Sequence, residues 1–228
     1  MKKISQNNAS RKVLSDSQDE NFPYEFSGLG VKILVFKNVF SPKHFYGWEI
    51  FTKKFPNVKN KTILEIGAGT GITSIYLAKH NAKFVLATDI NSYAIKNIKA
   101  NIILNKLKNI EVQKSDMFKG VKKNKRFDYI YWNMPFMPIN SKYKYKSVLE
   151  RGLFDPGYKI TDRFLKESKF YLNENGKILL GTGGSNFGNE SKLKELAVKY
   201  AYKLKLIARK RSMEINPVKF VLFELSVK

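Results

Sequence analysis

The chain is expected to fold as an α/β protein around a doubly wound, mostly parallel sheet of seven strands. An antiparallel C-terminal edge strand and a short N-terminal hairpin complete the expected fold. Three observations predict it. From residue 62 onward, short apolar runs alternate with stretches of helical period, the pattern of crossover units in a parallel sheet. The first of these runs leads into Glu65-Ile66-Gly67-Ala68-Gly69-Thr70-Gly71, a glycine-rich loop of the kind that opens a helix over a ligand. The chain closes on two apolar runs, KLKLIA and VKFVLFEL, joined by a basic turn, which reads as a hairpin.

Taken in order, residues 1–21 are polar, lack an apolar period and are expected to be a disordered arm. Residues 22–228 form a single domain, with a hairpin and helix over 22–58 and the core over 59–228. Phe22 to Phe40 alternates around Gly28 and Gly30, the hairpin; Trp48, Ile50, Phe51 and Phe55 then fall at helical spacing. TILEI (62–66) is a strand and Ile72 to His80 a helix; KFVLATD (83–89) is a strand and Ser92 to Asn105 a helix. NIEVQ (109–113) and the run ending at Trp132 supply two more strands. A helix from Lys159 to Leu172, a turn at Asn173-Glu174-Asn175-Gly176, strand KILLGT (177–182) and a helix from Ser191 to Lys203 lead to the final hairpin.

Composition removes several chemistries. With no cysteine there is no disulfide, thiolate metal site or cysteine nucleophile, and with only His44 and His80 no metal is expected. No run reaches the roughly 18–20 apolar residues of a membrane-spanning helix. The opening MKKISQNNAS has basic residues but no apolar core, so a cytoplasmic protein is expected. Forty-two basic residues against 19 acidic ones give a formal charge of +23, which favours polyanionic partners such as RNA or ribosomal particles. Only six of the basic residues are arginine, and a lysine bias of this kind also follows from an AT-rich genome.

The glycine loop is not the dinucleotide fingerprint G-x-G-x-x-G, which needs glycine where Ile72 stands. The second strand ends in Asp89, about 20 residues past the loop, where a carboxylate can accept ribose hydroxyls. Asp116 follows the third strand in Ser115-Asp116-Met117-Phe118, and the fourth runs into Asn133-Met134-Pro135-Phe136. Together EIGAGTG, ATDI, SDMF and NMPF resemble the class I S-adenosylmethionine-dependent methyltransferases, over roughly residues 22–226. The Asn-x-Pro-aromatic tetrad resembles the branch that methylates planar nitrogen: the small-domain methyltransferases, the amino-methyltransferases of adenine and guanine, and the release-factor glutamine methyltransferases.

The resemblance implies a Rossmann-like methyltransferase with S-adenosyl-L-methionine as cofactor. It assigns Glu65, Gly67 and Gly69 to the methionine part, Asp89 to the ribose and Asp116 to the adenine. Ala68, Gly71, Ile90, Met117 and Asn133 complete the implied cofactor set. Asn133, through its side-chain oxygen, and Met134, through its main-chain carbonyl, would accept the two N–H groups of the substrate nitrogen, with Pro135 shaping the turn and Phe136 stacking on the planar acceptor. The family usually has proline where this chain has Met134, but the implied contact is a carbonyl that methionine also carries.

The acceptor stays open between an RNA base, a glutamine amide of a translation factor and a small metabolite. A non-catalytic RNA-binding protein and a dehydrogenase are the rivals outside the class. Beside the tetrad, Ser141-Lys142-Tyr143-Lys144-Tyr145-Lys146 either holds phosphates and stacks bases or is a solvated loop. Residues 153–158 are expected to open the next helix with their acid and aromatic facing the site.

Overall fold

The computed structural model describes residues 2–183, 189–211 and 218–228, with side chains from residue 8 onward apart from residue 189. The elements begin with α1 (Lys2–Asp16), β1 (Tyr24–Gly28), β2 (Val31–Val35) and α2 (Gly47–Thr52). Next come β3 (Thr62–Ile66), α3 (Ile72–Lys79), β4 (Phe84–Asp89), α4 (Ser92–Leu104), β5 (Ile110–Lys114) and β6 (Phe127–Asn133). After a short parallel pair, β7 (Met137–Ile139) and β8 (Phe154–Pro156), the chain continues through α5 (Lys159–Ser168) and β9 (Leu172–Gly183). It ends with α6 (Asn189–Lys199), β10 (Tyr202–Arg211) and β11 (Lys219–Val227).

Seven strands form one sheet in the order β10-β11-β9-β6-β3-β4-β5. The pairs from β9 to β5 are parallel, and β11 runs antiparallel to both β9 and β10. Strand periodicity divides the core in two. Ile130 and Trp132 of β6 pack with Leu64, Ile178 and Leu180 against Phe164 and Leu165 of α5 and Leu193 and Leu196 of α6. On the opposite face Tyr131 packs with Leu179, Leu222 and Phe51 of α2, while Ile63 and Val85 pack against Ile72 and Ile75 of α3. A strand covered on both faces reads as a continuous apolar run, which is why β6 looks buried in the sequence.

The N-terminal hairpin turns on Leu29 and Gly30, both with positive φ (51° and 73°), the pairing a two-residue turn of the favoured twist requires. It is fastened by amides: Asn101 Oδ1 accepts the Leu34 N–H at 2.7 Å and Asn97 Oδ1 the Phe36 N–H at 3.0 Å. Both asparagines are buried on α4 and donate back to the Leu34 carbonyl.

Four expectations are corrected. Residues 2–16 form a helix rather than a disordered arm. Among its described side chains, Arg11 donates to Glu150 (3.2 Å) and Tyr143 (3.0 Å), and Leu14 alone enters the apolar cluster of Met137, Leu149, Leu153 and Phe154. The expected turn at 173–176 falls inside β9 and not before it: Asn175 has φ 60°, and the register shifts so that Leu172 faces Phe127 while Lys177 faces Tyr129. The helix predicted to reach Leu172 is α-helical only to Ser168 and closes with a 3₁₀ turn over Lys169–Tyr171. The helix predicted to end at Lys203 stops at Lys199, where Ala201 at φ 60° turns the chain into β10. Residues 212–217 of the expected basic turn lie outside the described residues. Among the described residues no helix is long and apolar enough to cross a membrane, and no group of three or more His, Asp or Glu could hold a metal ion.

Candidate active site

The carboxyl ends of β3, β4 and β6 and the loop after β5 open onto one cavity of about 1380 Å³. This lies at the sheet's switch point, where helices depart to opposite faces and open α/β proteins bind ligands. The volume exceeds the roughly 300–1,000 Å³ of a pocket for one small ligand, so two can meet in it. Of the residues that the resemblance assigns to cofactor and acceptor, all line the cavity except Gly71. Gly71 instead caps α3 at φ 80°, where a Cβ would lie 3.1 Å from Ile98; its role is to let α3 and α4 approach.

The glycine loop turns through Gly67 (φ 65°) and Gly69 (φ 58°), conformations only glycine adopts without strain. Asp89 braces it: one carboxylate oxygen accepts the Gly69 N–H at 2.9 Å and the other the Asn91 N–H at 2.8 Å. The carboxylate keeps lone-pair capacity for a ligand. Burial raises the Asp89 pKa, opposed by the N–H groups of Asn91, Gly69 and Ile90. Glu65, also buried, accepts a short hydrogen bond from Ser74 Oγ. Burial pushes its pKa up to about 8, with Ser74 pulling the other way and Asp89 adding to the rise.

Asp116 and Met117 border the cavity from the loop after β5, and Asp116 is not free. Arg163 Nη1 donates to its Oδ1 at 3.0 Å and Nη2 to its carbonyl at 2.8 Å. One carboxylate oxygen thus holds α5 in place, leaving the other for a ligand. This contact joins residues 47 apart and no local pattern announces it.

At the end of β6, Asn133 Oδ1 is buried without a hydrogen-bond partner among the described residues. Burying a polar atom unpaired costs about 1–3 kcal/mol, so such an atom in a cavity wall points to a ligand that satisfies it. Met134 is buried, and its N–H donates to the Gly181 carbonyl at 2.9 Å. Proline has no N–H to make that bond. The methionine that departs from the family pattern thus ties the loop to β9. Phe136 lies over Gly183, whose Cβ would sit 2.7 Å from its ring, and meets Phe220 edge-on at 6.0 Å.

The Lys/Tyr loop separates by side. Tyr143 donates to Glu150 (2.8 Å) and Tyr145 to the Phe154 carbonyl (3.1 Å), so both rings are part of the cavity wall. Lys142, Lys144 and Lys146 are exposed. Residues 153–158 open α5 as expected, but their acid and aromatic residues do not line the cavity. Asp155 turns away from the cavity and accepts the N–H groups of Ile160 and Thr161 (both 2.9 Å) and the Thr161 hydroxyl (2.6 Å), which caps α5. Phe154 is fully buried under Arg11, 4.9 Å from its guanidinium. Among the wall residues that sequence reasoning missed are Ala9, Ser10 and Val13 of α1, Phe40 beside the glycine loop, and Tyr131, two residues before Asn133. Only Tyr131 left a signal, the period of two that puts it on the face of Asn133.

A family model described as the methyltransferase small domain matches residues 30–205. A Methanocaldococcus jannaschii protein, provisionally named protein N5-glutamine methyltransferase, is 38% identical over 152 residues, covering 65% of this chain and 74% of its own length. The release factor glutamine methyltransferase of Fusobacterium nucleatum is 33% identical over 147 residues, 60% of this chain and 41% of its own. The chain therefore spans less than half of that relative, and 32% of a bifunctional methyltransferase of Rickettsia prowazekii that it also matches. In fold it is similar to the T. thermophilus 16S rRNA N2 G1207 methyltransferase, solved with AdoMet and guanosine (TM-score 0.65, 16% identity, 90% of this chain and 50% of that one). The ribosomal protein L11 methylase of Lactobacillus delbrueckii has a TM-score of 0.59 at 19% identity, covering 83% of this chain and 80% of that one. The chain belongs to the methyltransferase small domain family. By family and fold it is an S-adenosylmethionine-dependent methyltransferase.

Proposed function

We propose that the protein methylates the side-chain amide nitrogen of a glutamine in a protein substrate. The observation that carries this is the unpartnered, buried Asn133 Oδ1 in the cavity wall. A carboxamide nitrogen is a weak nucleophile because its lone pair is delocalised. Asn133 Oδ1 and the Met134 carbonyl accept its two N–H groups, which fixes the nitrogen and aims its lone pair. Phe136 and the aromatic wall offer a planar group a flat surface. The glutamine-methylating relatives support an amide over an amine.

The residues fit S-adenosylmethionine, which when bound supplies an electrophilic methyl group on a sulfonium. Gly67 and Gly69, with Ala68 between them, let the ligand approach the backbone, and Glu65 faces its ammonium. Asp89 has lone pairs left for ribose hydroxyls, Ile90 lies beside the ring, and Asp116 with Met117 takes the adenine edge. A neutral Glu65 must ionise to hold an ammonium, so binding below about pH 8 should release a proton. Its pKa falls on binding, so affinity should rise with pH toward about 8, above which the ligand's own α-ammonium begins to deprotonate and the gain ends. Calorimetry at pH 7 in buffers of different ionisation enthalpy reads the proton directly. Buffer-independent heats would remove Glu65 from the ammonium site.

Incubation of the enzyme with radiolabelled S-adenosylmethionine and cell extract tests the acceptor. Label should survive RNase, disappear with protease and leave as methylamine on acid hydrolysis. Label lost to RNase instead would overturn the glutamine assignment.

The second reading, an RNA base, is favoured by the charge of +23 and the three exposed lysines beside the tetrad. Replacing Lys142, Lys144 and Lys146 by glutamine should then flatten the slope of log affinity against log salt by up to about two units. S-adenosylmethionine affinity should not change. No salt-dependent RNA binding by the wild-type protein would make the charge compositional.

A further inference from the structure

Among the described residues, two side-chain atoms in the cavity wall are buried without a hydrogen-bond partner, and one of them is Asn133 Oδ1. The other is the Tyr131 hydroxyl. Tyr131 is fully buried, its ring held by Phe55 edge-on at 5.1 Å and by the cluster of Phe51, Leu179 and Leu222. A core tyrosine with its oxygen unsatisfied is uncommon, since phenylalanine would fill the same space without the penalty.

The sheet register says what the hydroxyl faces. Tyr131 lies directly across the ladder from Glu65, and β3 and β6 are parallel neighbours. Glu65 raises the Tyr131 pKa beyond what burial alone does, so the two groups share one space. The hydroxyl therefore stays protonated and acts as a donor. At about 3.3 Å per residue, Tyr131 sits some two residues deeper along β6 than Asn133, level with Glu65 rather than with the acceptor motif.

A carboxylate that accepts from an ammonium, beside a fixed hydroxyl donor, complements an α-amino acid. We infer that Tyr131 is a positioning residue for the cofactor, its hydroxyl donating to the carboxylate of the methionine end while Glu65 holds the ammonium. This rests on the cofactor assignment above and extends it to a residue outside the glycine loop and the acceptor tetrad. By anchoring the amino-acid end from β6, the strand that also carries Asn133, Tyr131 couples the placement of the methyl donor to that of the acceptor nitrogen.

Tyr131→Phe tests this with two thioether ligands. S-adenosylhomocysteine carries the amino-acid end, and 5′-methylthioadenosine lacks it. The variant should bind S-adenosylhomocysteine about tenfold or more weakly, the effect of losing a hydrogen bond to a charged group, and methylthioadenosine as well as wild type does. The ligand-free variant should melt no lower than wild type, because the hydroxyl has no partner among the described residues to lose. Equal weakening of both ligands, unchanged S-adenosylhomocysteine affinity or a lower melting temperature would each overturn the assignment. Asp89→Ala provides the control by weakening both ligands. A wild-type protein that binds neither ligand would overturn the cofactor assignment itself, and Tyr131 with it.

Discussion

Asn133→Ala is expected to lower turnover by about 10²–10³ while S-adenosylmethionine affinity stays within about twofold of wild type, because one preorganised transition-state contact carries that range of rate. The side-chain oxygen has no partner among the described residues, so removing it breaks no hydrogen bond seen in the resting fold. Truncating an unpaired buried acceptor removes a desolvation penalty instead of exposing one. The melting temperature should therefore hold or rise. The loss should appear in kcat and in kcat/KM alike, the signature of an interaction made in the transition state and not in the ground state. Single-turnover rates with saturating cofactor measure this without interference from product release. Wild-type rates in a folded variant would reduce NMPF to a structural turn and remove the basis for the acceptor chemistry.

What could be read from the chain follows from how local each feature is. The strands β3, β4, β6 and β9 are buried on both faces, so their apolar runs announce themselves, and the glycines of the loop announce the turn after β3. Asn133 and Asp89 were legible because each ends such a strand. Contacts between distant segments were not. Helix α1 is pinned by Arg11 on Glu150, 139 residues away, and a single ion pair leaves no periodicity. Asp155 looked like a site acid because it sits near the tetrad in sequence, yet a carboxylate just before a helix is drawn to the unpaired N–H groups of its first turn. Gly71 belongs to the same class, since only the approach of Ile98 from α4 explains it. Tyr131 lies between these cases. Its face follows from Asn133 by alternation, but its facing of Glu65 needs the register of β3 on β6.

Asp89→Ala should weaken S-adenosylmethionine binding by tenfold or more, since charge-assisted hydrogen bonds to the ribose are worth about 1.5–3 kcal/mol each. The structure adds a second loss. The same carboxylate accepts from Gly69 and Asn91, so alanine also frees the glycine loop that shapes the methionine site. The two losses separate by substitution. Asp89→Asn keeps one oxygen to brace a single N–H and one polar contact to the ribose, and should fall between wild type and alanine in affinity. Asp89→Glu retains the charge but extends into a buried corner where the acid is nearly enclosed, so it should displace the loop and bind poorly despite its carboxylate. Titration of the four proteins with S-adenosylhomocysteine, followed by melting temperature with and without ligand, gives the order wild type, Asn, then Ala and Glu. An unchanged dissociation constant in a folded alanine variant would place the ribose elsewhere and sink the assignment of this strand end to the cofactor.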